Sequence, residues 1–494
     1  MMATTSSERF KLLDFSKANI RTLHLGWIAF FVSFMVWFVH APLMPFIREA
    51  LQLTDIQVKT LLTLNVALTI PARIVVGILV DKYGPRIMYS AILVIGGLIT
   101  IAFALAQDYQ QLALTRFLAG FVGAGFVVGI RLIAEWFPAR QTGIAQGIYG
   151  GWGNFGSAGA AFLLPSIAVL VGGEFGWRYA VGLVALISIG YGLFFYWKVR
   201  NTPKGSTYFK PKKTGALEVS SGFDLALYII MNIPMYAALA LVVHSLSPAK
   251  MKLLSETTTI VLYGVLVATY LFQVWKIWQL NKYVLKEPVP ELQRYSFTQV
   301  AILDLAYMVT FGTELAVVSM LALFYVDNFG LDKVTAGMLA GSYAFINLVA
   351  RPAGGFISDR FGRKITLVVV FIGIAASFLF LGQVDSSWTV AMVIAAATLG
   401  GIFSKAGSGA VYAMVPLIQR RLTGQIAGMA GAYGNVGGVV FLTVLATFNT
   451  PIFFMTIGGM ALVVLLFIMV FLKEPQGAIA EVMPDGTVQM IEVK

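Results

Sequence analysis

The sequence specifies an all-α polytopic membrane protein: two six-helix halves with an extra pair of spanning helices between them. Three observations carry that expectation. The chain of 494 residues is 58% hydrophobic and only 12% charged. Apolar runs of about 20 residues recur along it, the length a helix needs to cross a bilayer core of roughly 30 Å. These runs are continuous, without the alternation of a lipid-facing barrel strand, so helices are the spanning element. The third observation is an internal repeat. TGIAQGIYGGWGNFGSAGAAF at 142–162 carries Gly143, Gly147, Gly150, Gly153 and Gly156, and the same spacing returns 281 residues later as Gly424, Gly428, Gly431, Gly434 and Gly437. Thr142 and Thr423, Trp152 and Tyr433, and Asn154 and Asn435 fall at matching positions.

In chain order, residues 1–23 form a polar N-terminal segment that does not read as a cleavable signal peptide. Six spans follow near 24–47, 58–80, 87–106, 112–134, 142–171 and 178–198, making a first half of 24–198. Residues 199–296 are a basic linker holding two more spans, near 223–246 and 257–280. The second half, 297–472, has spans near 297–326, 334–356, 365–384, 388–414, 423–447 and 451–472, which makes about fourteen in all. The tail, 473–494, places an Asp-Gly pair between two short alternating runs, which suits a small hairpin or a loose end.

The net charge of +12 falls in loops on one side. The basic clusters at 198–213 (with Lys210, Lys212 and Lys213), 276–294, 360–364 and 420–421, together with Arg9, Lys11, Lys17 and Arg21, place both termini in the cytoplasm of a plasma (inner) membrane protein. The lipid bilayer is thus the partner of this charge pattern and nucleic acid is not. With no cysteine and three histidines lacking ligand spacing, no disulfide, metal site or cofactor is expected. No nucleophile or phosphate loop points to an enzyme.

Glycines three and four apart share one helix face and let another backbone approach. Packing alone explains such a row. It does not explain an asparagine at the same phase in both copies, because an amide in an apolar helix needs a partner or a ligand. The repeat extends to two loops, GILVDKYGPR at 77–86 and GFISDRFGRK at 355–364. Their motif positions are Gly77, Asp81, Gly84 and Arg86, and Gly355, Asp359, Gly362 and Arg363. Arg73 and Arg351 stand eight residues before Asp81 and Asp359. Eight helical residues rise about 12 Å, which puts both arginines near mid-membrane. Snorkelling to the interface is hard from there. A charge at that depth normally faces a cavity and serves a function.

The two loops resemble the cytoplasmic loop motif of the major facilitator superfamily, and RFLAGFVGAGF at 116–126 is similar to its fourth-helix motif. That superfamily is built from parallel six-helix halves that rock about a midplane site. The doubled Gly-Asn row, with Gly150, Gly153, Gly431 and Gly434, and an arginine in each half, resembles the nitrate signatures of the nitrate/nitrite porter family. The resemblance covers about 420 residues, the tails and inserted pair excepted. It implies a monomeric secondary transporter of nitrate and nitrite. Guanidinium presents a planar fork of donors, and these anions are planar with in-plane lone pairs. By the same resemblance Arg73 and Arg351 are the substrate arginines. Phe126, Tyr307 and Phe311 close on the flat anion, and Asn154, with its repeat mate Asn435, hydrogen-bonds it. The inserted pair departs from the family's usual twelve spans.

Further ionisable residues stand in spans: Arg131, expected to pair with Glu135, and Asp304, Glu314 and Lys405. Asp304, Tyr307, Phe311 and Glu314 are spaced 3, 4, 3 and are expected on one helix face. FGTEL at 311–315 resembles the proton-coupled importers of the family. Glu314, then Asp304, are the expected proton-coupling groups, with Lys405 as a partner for either acid. The leaning is therefore to nitrate/proton symport. A nitrate/nitrite exchanger, a carrier of another small anion and a non-transporting anion sensor stay open as rivals.

Overall fold

A computed structural model describes residues 10–137, 139–173, 175–205, 216–287, 289–290, 294–385, 387–419, 422–474, 477–482 and 488–493. The calls on Arg9, Lys210, Lys212, Lys213, Arg420, Arg421 and the Asp-Gly turn of the tail lie outside them, as do the side chains of Thr142 and Thr423.

Fourteen helical spans run in the expected order. The first six are α1 (Ala18–Phe38), α2 (Asp55–Tyr83), α3 (Pro85–Leu105), α4 (Tyr109–Trp136), α5 (Ala139–Asn154 continued by Gly156–Val171) and α6 (Gly176–Lys198). The inserted pair is α7 (Gly222–Leu246) and α8 (Glu256–Asn281). The last six are α9 (Phe297–Phe329), α10 (Lys333–Phe345 continued by Asn347–Phe361), α11 (Arg363–Leu381), α12 (Val390–Ile418), α13 (Thr423–Thr447) and α14 (Thr450–Phe471). In the tail, β1 (Gly477–Val482) and β2 (Val488–Val493) pair antiparallel.

Among the described residues, thirteen spans are long and apolar enough to cross a membrane. The exception is α10, whose apolar run is diluted by Asn347, Arg351, Pro352, Gly354 and Gly355. Its two segments still join through Ile346 in helical geometry, and residues 333–361 give roughly 43 Å of path. The helix α2 is interrupted in the same way at Leu68. Each interruption stands five residues before the arginine of its helix. The first span is shorter than expected. It ends at Phe38, and a short helix, Met44–Ala50, follows the turn. Pro42 disfavours helical backbone at Ala41, while Pro45 suits a first helical turn.

The sequence repeat reappears in packing. Across the two halves α2 lies on α13, and α5 lies on α10. Within the halves α3 packs on α6 as α11 packs on α14, and α1 on α5 as α9 on α13. The inserted α7 rests on α2, α9 and α13, and α8 leans on α7 with 6% of its apolar window buried. Two bonds tie α7 to the second half: the Tyr433 hydroxyl donates to the Met231 carbonyl, and Asp224 accepts from the Phe297 amide at 2.8 Å.

The loop motifs make matching turns. Gly84 and Gly362 have φ of +84° and +105°, where side chains are strained. The residues leaving each half cap the helix that starts at its loop motif, α3 or α11. Asn201 accepts from the Arg86 amide at 2.8 Å, and Glu474 accepts from the amides of Arg363 and Lys364 at 2.8 and 2.7 Å. Arg131 pairs with Glu135 at 2.9 Å, as expected, and also reaches Asp81 at 3.6 Å. Asp359 pairs with Arg363 at 3.0 Å.

At the opposite end of the bundle two ion pairs join the halves. Arg48 meets Asp327 with both terminal nitrogens, at 2.5 and 2.8 Å, and Lys333 meets Glu49. On the loop-motif side, Ile74, Val75 and Ile78 of α2 and Phe356, Ile357 and Phe361 of α10 are exposed.

Glycine sets the separation of α9 and α13. A Cβ on Gly312 would sit 2.7 Å from the Gly437 backbone, and one on Gly437 would overlap the Met308 carbonyl. Gly437→Ala should therefore force these helices apart at a cost of about 1–3 kcal/mol. Its thermal midpoint in detergent should fall by several degrees. Gly459→Ala, with open space around it, should not move the midpoint.

Candidate functional site

Helices α2 and α10 each bring one arginine to the middle of the bundle, from opposite halves. Arg73 is 1% exposed and Arg351 is 4% exposed. Burying an ion costs several kcal/mol unless it is well partnered. Neither guanidinium is fully partnered. Nη1 of Arg73 donates to the Gly431 carbonyl, while its Nε and Nη2 have no hydrogen-bond partner. Nη2 of Arg351 donates to the Tyr307 hydroxyl at 2.7 Å, and its Nη1 has no hydrogen bond.

The glycine rows explain how these side chains fit. A Cβ on Gly431 would lie 2.7 Å from Arg73 Nη1, and one on its repeat mate Gly150 would lie 3.6 Å from Arg351 Nε. Gly431 thus makes room for Arg73, whereas a side chain at Gly150 would only touch Arg351. One turn further on, a Cβ on Gly434 would come within 2.6 Å of Phe311 and 2.9 Å of Tyr307. Gly153 instead accommodates Phe30 of α1.

Aromatic rings border both arginines. The Cζ of Arg73 lies 5.3 Å from the Phe126 ring centre and 5.4 Å from that of Phe311. The matching distances for Arg351 are 5.9 and 5.5 Å. Tyr307 stacks on Phe311 at 5.0 Å. Asn435 donates to the Gly431 carbonyl at 2.9 Å, so it shares an acceptor with Arg73. Asn154 is buried with both amide atoms unpartnered. It lies one turn beyond Gly150. The arrangement offers orphaned N–H donors between two apolar ring faces, a setting suited to a small planar anion.

The ionisable residues separate. Glu314, 1% exposed, stands 4.0 Å from Arg351 Nη1, and its Oε1 accepts from Asn347 at 2.7 Å. Asp304 does not join the arginines. It is fully buried with neither oxygen hydrogen bonded, and its electrostatic neighbours are Tyr228 of α7, Tyr433 of α13 and Tyr412. The expected face is real, but Asp304 and Glu314 lie ten residues apart, about 15 Å along the helix. The stripe outruns the site, and α7 meets its far end. Lys405 forms no ion pair within 4.0 Å with either acid. Its Nζ is buried 3.4 Å from the Tyr343 ring centre, without a hydrogen bond.

A family model described as Major Facilitator Superfamily matches residues 26–281 and 303–485. The chain is 46% identical to the nitrate/nitrite transporter NrtP of Nostoc punctiforme, over 95% of each chain. It is 43% identical to NrtP of a Picosynechococcus species, over 93% of this chain and 94% of that one. The chain belongs to the nitrate/nitrite porter family of the major facilitator superfamily. Among solved structures, the inward-open xylose transporter XylE from E. coli is similar in fold, with a TM-score of 0.60 at 14% identity, covering 93% of this chain and 97% of that one.

Two residues beside the arginines of this porter escaped the sequence reading. Tyr412 of α12 stands edge-on to Tyr307 at 4.9 Å and to Phe126 at 5.4 Å. Its hydroxyl donates to the Ala427 carbonyl at 2.9 Å. Nothing local marks one tyrosine among nineteen as a wall of the site. Asn347 did carry a signal. It lies four residues before Arg351, hence on the same face of α10.

Proposed function

We propose that this integral membrane protein carries nitrate, and nitrite, across the plasma (inner) membrane by alternating access, in symport with protons. The observation that carries the reading is the pair of buried arginines, one from each half, whose free N–H groups converge between Phe126 and Phe311. A planar oxyanion supplies the missing acceptors and the missing negative charge together. Tyr307, Asn154 and Asn435 are the polar groups assigned to orient it. The names of the NrtP relatives support the same substrates.

Alternating access requires a site between two moving bodies, and both arginines meet this requirement. With the termini in the cytoplasm, the Arg48–Asp327 and Glu49–Lys333 pairs close the outer end. They must part when the site opens outward. Halves 24–198 and 297–472 are the moving bodies in this reading, with the helix pair between them at the edge. The carrier works as a monomer and catalyses no covalent chemistry.

Symport rests on the carboxylate beside Arg351. Two arginines that cannot release protons leave an empty carrier with two buried positive charges, which resists reorientation. Glu314 offsets one of them and gives the site a group that takes up a proton with the anion.

Arg73→Lys and Arg351→Lys keep the charge but lose the fork. Each should cut nitrate uptake into proteoliposomes to near background, with folding unchanged by size exclusion and thermal midpoint. Near-normal uptake would remove that arginine from the site.

Coupling is read by Glu314→Gln. This variant should retain nitrate-for-nitrate counterflow and lose accumulation driven by an inward proton gradient. Surviving accumulation would move the coupling role to Asp304. Unmutated protein that performs counterflow without proton-driven uptake would make it an exchanger.

A further inference from the structure

Arg351 is the top rung of a ladder of charged contacts, whereas at the matching positions of α2 Thr69 donates to the Gly120 carbonyl and the Asn65 side chain has no hydrogen-bond partner. Three residues of α10 one turn apart, Tyr343, Asn347 and Arg351, each engage a polar group of a neighbouring helix. Arg351 donates to Tyr307 of α9 at 2.7 Å. Asn347 donates to Oε1 of Glu314, also on α9, at 2.7 Å. Tyr343 lies under the Nζ of Lys405 from α12, at 3.4 Å. The acid is therefore held between a guanidinium one turn to one side and an amine one turn to the other. Lys405 is within electrostatic reach of both Glu314 and Arg351.

The unsatisfied atoms of this ladder are informative. Glu314 is anchored through Oε1 only, and its Oε2 has no hydrogen bond. Arg351 Nη1 and Lys405 Nζ are likewise buried without one. The free carboxylate oxygen stands 4.0 Å from Arg351 Nη1 and makes no ion pair with Lys405, so it fully satisfies neither cation. At 4.0 Å from Nη1 it stands just beyond a direct hydrogen bond.

We propose that Glu314 is an internal substitute for the transported anion: it neutralises Arg351 while the site is empty and swings to Lys405 when an external anion takes Nη1. The proposal rests on the anion-transport reading above and not on its proton-symport part, because a Glu314 displaced onto Lys405 stays ionised. Its physics is charge accounting in a poorly solvated space. An empty site without Glu314 leaves Arg351 Nη1 without a counter-charge, and a loaded site sets the anion and Glu314 Oε2 in competition for that same nitrogen. Both arrangements are costly. Asn347 holds Oε1 as a pivot, so a side-chain rotation moves Oε2 between the two cations without breaking that bond. The return of Glu314 to Arg351 then helps expel the anion on the far side. Lys405 touches no substrate and acts through Glu314, as a positioning residue.

The test is a double-mutant cycle on nitrate affinity, measured by calorimetry on the purified full chain. Lys405→Met keeps the volume of the side chain and removes its charge. It should weaken nitrate binding by about tenfold or more, because the displaced carboxylate has nowhere to go. Glu314→Gln removes the competitor and should tighten binding. In the double variant the lysine should no longer matter, and its affinity should match that of Glu314→Gln within about twofold. A merely structural role for Lys405 gives the same loss in both backgrounds. That result, or a Lys405→Met affinity equal to the unmutated one, would overturn the proposal. Unmutated protein that binds no nitrate would overturn the anion reading itself, and this failure is distinguishable because it appears before any substitution is made.

Discussion

Two side chains that stay charged, held at the middle of an apolar bundle, set the terms for the rest of this protein. Neither Arg73 nor Arg351 has a full set of partners. What surrounds them is arranged to make that incomplete solvation tolerable. A backbone carbonyl and a phenol hydroxyl take some of the donors, a carboxylate stands 4.0 Å from another, and aromatic faces border the rest. The glycine rows follow from the same need. A guanidinium crossing between halves requires a partner helix with no Cβ in the way, and Gly431 provides that space.

The fold was legible almost entirely in the sequence, because spanning helices announce themselves by length and continuity of apolar residues. The first span was misjudged at its end, where Pro42 and Pro45 redirect an otherwise apolar run. α10 shows the opposite effect. It was expected correctly from its place in the repeat, although its own composition is too polar to qualify as a span. Within the candidate site, depth and repetition single out Arg73 and Arg351, and the family resemblance assigns their role together with those of Phe126, Tyr307 and Phe311. Tyr412 was not found, because a ring contributed by a distant helix leaves no periodic trace. Asp304 was placed with Glu314 by helical spacing. That argument fixes a face and not how far the site extends along it.

The two halves are copies in backbone and unlike in charge. Arg73 meets a neutral carbonyl, whereas Arg351 stands in a cluster with Glu314, Asn347 and Lys405. On the proposed alternating access, the symmetric scaffold would supply the rocking motion and the asymmetric cluster what a proton or a counter-charge acts on. The inserted pair belongs to neither copy. It braces α9 and α13 through Asp224 and Met231 and stays clear of the arginines.

The central claim is that a convergent arginine pair moves nitrate and does not merely bind it. Counterflow in proteoliposomes bears on this most directly, with labelled nitrate outside and a panel of unlabelled anions trapped inside. Trapped nitrate and nitrite should each draw label inward, and trapped sulfate and chloride should not. Nitrate binding without any counterflow would make the protein a sensor. Stronger counterflow against another anion would mean that the fork is shaped for that anion instead.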